Sequence, residues 1–149
     1  ALQLDSGEVI TEGPAIVQYL ADLKPEAGLA PANGTVARVK LQEMLNYITS
    51  EVHKTLGSLF DPGFDDNAKA HLKNKAGARF DWLSKKLANQ DYIMGAQFSV
   101  ADAYLFTVLN WCGWLAIDLS KWPVLAAYQA RVAARPKVQE ALKAEGLVK

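Results

Sequence analysis

The chain is poor in the residues that usually mark chemistry. It has one cysteine, Cys112, so an intrachain disulfide framework is excluded. It has two histidines, His53 and His71, far apart from each other and from Cys112, which leaves no recognisable metal-ligand spacing. It has no glycine-rich phosphate loop. Its formal net charge is zero, with 16 basic and 16 acidic residues, so it lacks the electrostatic footprint of a nucleic-acid or anionic-membrane partner. Lysines 69, 73, 75, 85 and 86 crowd one helix and read as a solvated face. No apolar run is long enough to span a bilayer, and no basic-then-apolar leader follows Ala1. These absences leave the cytoplasm as the expected compartment.

What is present is a mostly α pattern behind a short β start. Residues 1–5 and 8–11 read as two strands joined by a Ser6-Gly7 turn, and residues 12–23 as a helix. Ile16, Val17, Leu20 and Leu23 have helical spacing and predict one buried side. Two strands alone are marginally stable. With the missing initiator methionine, this leads to the expectation that strands upstream of Ala1 belong to the same sheet. Residues 24–34, with Pro25, Gly28, Pro31 and Gly34, form the best linker and the expected domain boundary.

After Gly34, helix follows helix. Thr35 is placed to cap a helix running to about Ser58, with Leu41, Leu45, Ile48, Val52 and Leu56 as its buried stripe. Asn46, Ser50, His53 and Gly57 share another face. Residues 61–66 break the pattern, and residues 67–88 form the next helix, with His71 exposed on it. Ser99-Val100-Ala101-Asp102 is a capping box: Ser99 caps the helix and the Asp102 carboxylate reaches back to the Ser99 amide. Residues 103–117 are almost wholly apolar and predict a central helix buried nearly all round. Asp102 resembles a catalytic carboxylate, but its expected role is architectural. Cys112 is expected to be a core thiol, and Trp114 and Trp122 to be packing residues. Pro123 and Pro136 open the last two helices, and Gly146 ends the second.

Four segments in order carry a family resemblance. They are Thr11-Glu12-Gly13 with residues 15–22, then Leu45-Asn46-Tyr47-Ile48 with residues 50–54, then residues 98–109, and finally Arg135-Pro136 with residues 144–147. Together they resemble bacterial glutathione transferases of the beta class, lacking roughly the first fifty residues. The resemblance implies an all-helical domain over residues 35–149, a linker over 24–34, and the end of a thioredoxin-like, glutathione-binding domain over 1–23.

It implies an enzyme with glutathione as co-substrate, which delivers the glutathione thiolate to a small apolar electrophile. Thiol-disulfide exchange and dehalogenation occur among relatives. It also implies a homodimer, with no nucleic-acid or membrane partner. Glu12 and Gly13 would hold the γ-glutamyl end of glutathione, a helix start suiting a carboxylate. Relatives often carry serine or alanine where Gly13 stands. His53 and Lys54 would line the cleft near the sulfur. There Lys54 would lower a thiol pKa and His53 would relay a proton or hold a water. Trp111 would be the cleft tryptophan, and Asn46 and Glu51 would reach glutathione across a dimer interface. The family's nucleophile lies in the segment not found here. The alternatives are a non-catalytic ligand-binding member and an inactive fragment of the same fold.

Overall fold

The computed structural model describes residues 1–148. Lys149, the last residue of the expected helical domain, lies outside the described residues. Strands β1 (Leu2–Gln3) and β2 (Val9–Ile10) pair antiparallel, with Leu2 opposite Ile10 and Gln3 opposite Val9. Each is shorter than the sequence pattern predicts. Gly7 turns the hairpin at φ 87°, a backbone geometry glycine adopts without steric cost.

Helix α1 (Gly13–Asp22) follows, and only its Ala21 is buried. The expected apolar side holds only in part: Ile16 and Val17 are half-buried, Val17 against the core, whereas Leu20 is 47% and Leu23 is 59% exposed, turned away from the side of α1 that carries the buried Ala21. Residues 24–34 contain a 3-10 turn at Pro25–Ala27 and are tied down at two points. The Leu29 carbonyl accepts from the Val100 amide at 3.0 Å, and the Pro31 carbonyl accepts from Arg38 Nε at 2.7 Å. The buried Arg38 also pairs with the Asp22 carboxylate, so one guanidinium joins α1, the connecting segment and α2.

Thr35 caps α2 (Val36–Tyr47), its Oγ accepting from the Arg38 amide at 3.2 Å. The expected single helix to Ser58 departs from α geometry at Ile48–His53, which is π-helical, and resumes as α3 (Lys54–Ser58). The Lys54 amide reaches back five residues to the Thr49 carbonyl. The predicted stripe holds: Leu41, Leu45, Ile48, Val52 and Leu56 are all buried. It packs with Phe80 and Leu83 of α4 (Asp66–Leu87) and Leu105 and Leu109 of α5 (Val100–Trp114).

Helices α6 (Pro123–Ala133) and α7 (Pro136–Ala144) complete the bundle. Helix α6 sends Leu125, Tyr128 and Val132 into the core, whereas α7 buries no residue fully. Trp122 packs its ring on Phe80 at 5.1 Å and donates Nε1–H to Asp81 at 2.7 Å.

The capping box forms. Asp102 Oδ2 accepts from the Ser99 amide and from the Ser99 hydroxyl, each at 2.8 Å. Asp102 Oδ1 accepts from the Ile93 amide at 2.7 Å and the Tyr128 hydroxyl at 3.0 Å. The carboxylate is therefore architectural, as its motif predicts. Burial pushes its carboxyl above the ordinary 3.8, against the pull of these hydrogen bonds. Helix α5 differs from expectation at its far end. It stops at Trp114, with Ala116 at φ 51°, and Thr107, Gly113 and Trp114 face outward.

Removing the carboxylate leaves several buried donors without an acceptor, whereas removing one donor does not. Asp102→Ala is therefore expected to lower unfolding free energy by about 3 kcal/mol, and Ser99→Ala or Tyr128→Phe by about 1 kcal/mol each. Denaturant unfolding measures this; equal losses in all three variants would contradict the network.

Candidate functional site

The expected site residues fall into two places. His53 and Trp111 come together. The half-buried His53 closes the π-helical segment, and Trp111 stands on α5 with its ring edge-to-face against the imidazole, centroids 4.8 Å apart and planes at 87°. Phe60 meets the same indole at 5.8 Å. Gly57 leaves room beneath the pair: a Cβ there would stand 3.7 Å from His53 Cδ2 and 3.8 Å from Trp111 Cζ3.

The residue that sequence reasoning missed is Tyr104. Its hydroxyl lies 2.6 Å from His53 Nδ1, and it sits seven residues before Trp111 on the same face of α5. That spacing was the available signal.

Burial, and then the Lys54 charge, hold the His53 pKa below its ordinary 6.5. Both effects favour the neutral imidazole. Lys54 is exposed at the start of α3. Asn46 is exposed on α2 and Ser50 on the π segment, so the predicted common face splits: its first half is wet, and its second half meets α5. The Glu51 carboxylate is engaged by Arg79 of α4, with Arg79 Nε donating at 2.9 Å.

Glu12 and Gly13 form the second place, at the start of α1. Glu12 adopts φ 67°, a left-handed geometry that costs a non-glycine residue energy and concentrates at functional corners. Its side chain makes no cap hydrogen bond. Pro14 offers no amide proton, and the Ala15 amide is engaged by the Glu12 carbonyl at 3.0 Å, whereas the Gly13 N–H lies at the helix start, ahead of any intrahelical acceptor.

Trp111 also lines an apolar groove of about 620 Å³ between α5 and α7, walled by Phe106, Asn110, Trp114, Val138 and Leu142. The packing role expected for Trp114 is corrected: it is 65% exposed and forms part of this wall. Arg135 stacks over the Phe98 ring at 4.0 Å at the groove's end. Cys112 faces the opposite way, into the core, where burial pushes its thiol up to about 12; it is a core thiol, as expected. Among the described residues, no helix is long and apolar enough to cross a membrane.

The folded His53 binds a proton less readily than its unfolded counterpart, so acidification from about pH 6.5 removes native stability. An NMR titration should give a His53 midpoint below 6.5. Lys54→Met should raise that midpoint only part of the way, because burial is the larger cause. A midpoint at the ordinary value in the native chain would contradict the burial.

Comparison with known proteins fits this arrangement. The model of the family described as glutathione S-transferase, C-terminal domain, matches residues 46–136. Glutathione S-transferase GstA of Escherichia coli O157:H7 is 41% identical over 147 residues, which cover 99% of this chain and 73% of the relative. The solved beta-class glutathione S-transferase of Sphingomonas chungbukensis superposes with a TM-score of 0.94 at 48% identity, covering 99% of this chain and 73% of that one. A sphingomonad glutathione S-transferase complexed with glutathione gives a TM-score of 0.93 at 46% identity, with the same coverage. The chain belongs to the glutathione S-transferase family.

Proposed function

We propose that this chain serves glutathione transfer of the beta-class type, with glutathione as co-substrate and a small apolar electrophile as acceptor. The observation that carries the reading is the meeting of His53 and Trp111 at an apolar groove, within a fold whose sphingomonad relative is complexed with glutathione. In this reading Glu12 accepts from the glutathione ammonium, and the Gly13 N–H donates to the γ-glutamyl carboxylate. His53, Lys54 and Trp111 face the sulfur. The positive charge of Lys54 favours the thiolate over the thiol, and the indole and imidazole N–H groups steady it. The groove takes the apolar acceptor and excludes water from the reacting atoms.

The domain division proposed is residues 1–23, 24–34 and 35–149, with Arg38 as the clasp between the first and the last. A homodimer is proposed to form over α2 and α4. Support comes from the exposed Val36 and Val39 of α2, and from the half-exposed Trp82 of α4 stacked on Tyr47 at 4.3 Å. Asn46 and Glu51, near this surface, are proposed to reach the partner's glutathione.

A second reading, a protein that binds apolar ligands without turnover, is favoured by the exposed Trp114 on the groove wall. It differs in one outcome: saturable quenching of tryptophan fluorescence by an apolar ligand, with no conjugation.

The test is conjugation of glutathione to a chlorodinitrobenzene by the whole protein that carries this chain. Glu12→Gln should weaken glutathione binding by about tenfold, as expected for one charge-assisted hydrogen bond. His53→Ala should lower kcat by about tenfold to a hundredfold. Full activity in both variants would overturn the assignment of these residues. Absence of conjugation together with ligand quenching would favour the second reading.

A further inference from the structure

The protons around His53 can be placed one at a time. Thr49 has a single hydroxyl proton, and its Oγ lies 2.9 Å from the Leu45 carbonyl one turn back, so the proton goes there. Tyr104 also has one hydroxyl proton. Thr49 Oγ stands 3.4 Å from the Tyr104 oxygen, outside the normal O–H···O range, whereas His53 Nδ1 stands at 2.6 Å. If Nδ1 carried the hydrogen, Tyr104 would accept it and be left with no protein acceptor at normal distance. If Nδ1 is bare, every one of these groups is satisfied. Among the described residues, no protein group hydrogen-bonds His53 Nε2. The ring is also fixed in place. Tyr104 and Trp111 are about 10.5 Å apart along α5, a gap that one imidazole fills, and the ring centroids stand 5.7 and 4.8 Å from that of His53.

We propose that Tyr104 is a positioning residue. It donates its hydroxyl proton to Nδ1 of His53 and locks the imidazole in the tautomer with hydrogen on Nε2, so that His53 presents a hydrogen-bond donor to an anionic atom. The role is that of a donor rather than a base, since the nitrogen left for the ligand already carries its proton. An anionic sulfur or oxygen is the complementary ligand chemistry. A cation or a group needing deprotonation is not. The identity of that anion as the glutathione thiolate rests on the transferase reading above; the tautomer does not. The π-helical segment belongs to the same device. It ends at His53, so the residue that receives the Tyr104 proton is set by the irregular turn.

The experiment is long-range proton–nitrogen NMR of the nitrogen-15-labelled chain without ligand. His71→Gln, an exposed change on α4, removes the signals of the other histidine. The expected pattern at pH 7.5 is an unprotonated Nδ1 and a protonated Nε2 for His53, replaced in Tyr104→Phe by exchange-averaged signals from both tautomers. A protonated Nδ1 in the unsubstituted ring overturns the proposal, as does an unchanged pattern in Tyr104→Phe. The first readout needs no Tyr104 variant to fold. Steady-state kinetics with glutathione and a chlorodinitrobenzene then separate the two readings. Tyr104→Phe should lower kcat by about tenfold, the equivalent of one lost hydrogen bond, with KM little changed. The expected tautomer combined with an unaltered kcat would leave the proton placement standing and remove its link to glutathione.

Discussion

The structure depends on one buried carboxylate. Asp102 is inaccessible to solvent and accepts from Ile93, from the Ser99 amide and hydroxyl, and from Tyr128. Those donors come from the loop before α5, from Ser99 that caps α5, and from α6. A single group therefore sets where α5 begins, how it rotates, and which side α6 lies against. Everything useful on α5 follows from that rotation. Tyr104 and Trp111 face the π-helical turn, Cys112 faces the core, and Trp114 faces the groove. An ordinary apolar side chain at position 102 would pack well enough, but it would leave the amides of Ile93 and Ser99 buried without acceptors. Arg38 plays a corresponding part for the N-terminal elements, joining α1, the connecting segment and α2 through one guanidinium.

Much of this was legible in the sequence, and the reason is local. Capping at Thr35 and the Ser99–Asp102 box require residues three apart, so their signatures survive without knowledge of the fold. The stripe from Leu41 to Leu56 is read from helical period alone, and it holds through the π-helical segment. His53 and Trp111 were named from the family resemblance, and the structure brings them into contact. The parts that were not legible are those set by distant neighbours. Tyr104 is 51 residues from His53, and its spacing from Trp111 marks a shared face of α5 but not the hydrogen bond to His53. The π-helical departure leaves the buried stripe in place, so a periodic reading does not register it. Leu20 and Leu23 have an apolar spacing but are exposed, so the predicted side of a correct helix holds only at Ile16 and Val17. Trp114 misled for the converse reason. Tryptophan is usually well buried, yet here it closes the end of a helix that walls a groove.

The two parts of the candidate site differ in character. The corner at Glu12 and Gly13 is built from backbone: a left-handed residue, a proline without an amide proton, and the helix-start N–H of Gly13. The His53 cluster is built from side chains on two helices whose relative position is fixed by the core. In the proposed reading the corner at α1 takes the charged γ-glutamyl end of glutathione and the half-buried cluster at α5 takes its sulfur.

Nitrogen-15 amide and indole chemical-shift mapping during titration with glutathione tests this account most directly. The account predicts that the Gly13 amide and the Trp111 indole N–H shift together, saturably, with one common dissociation constant. Saturable shifts confined to residues away from both places, such as those of α4 and α6, would contradict it.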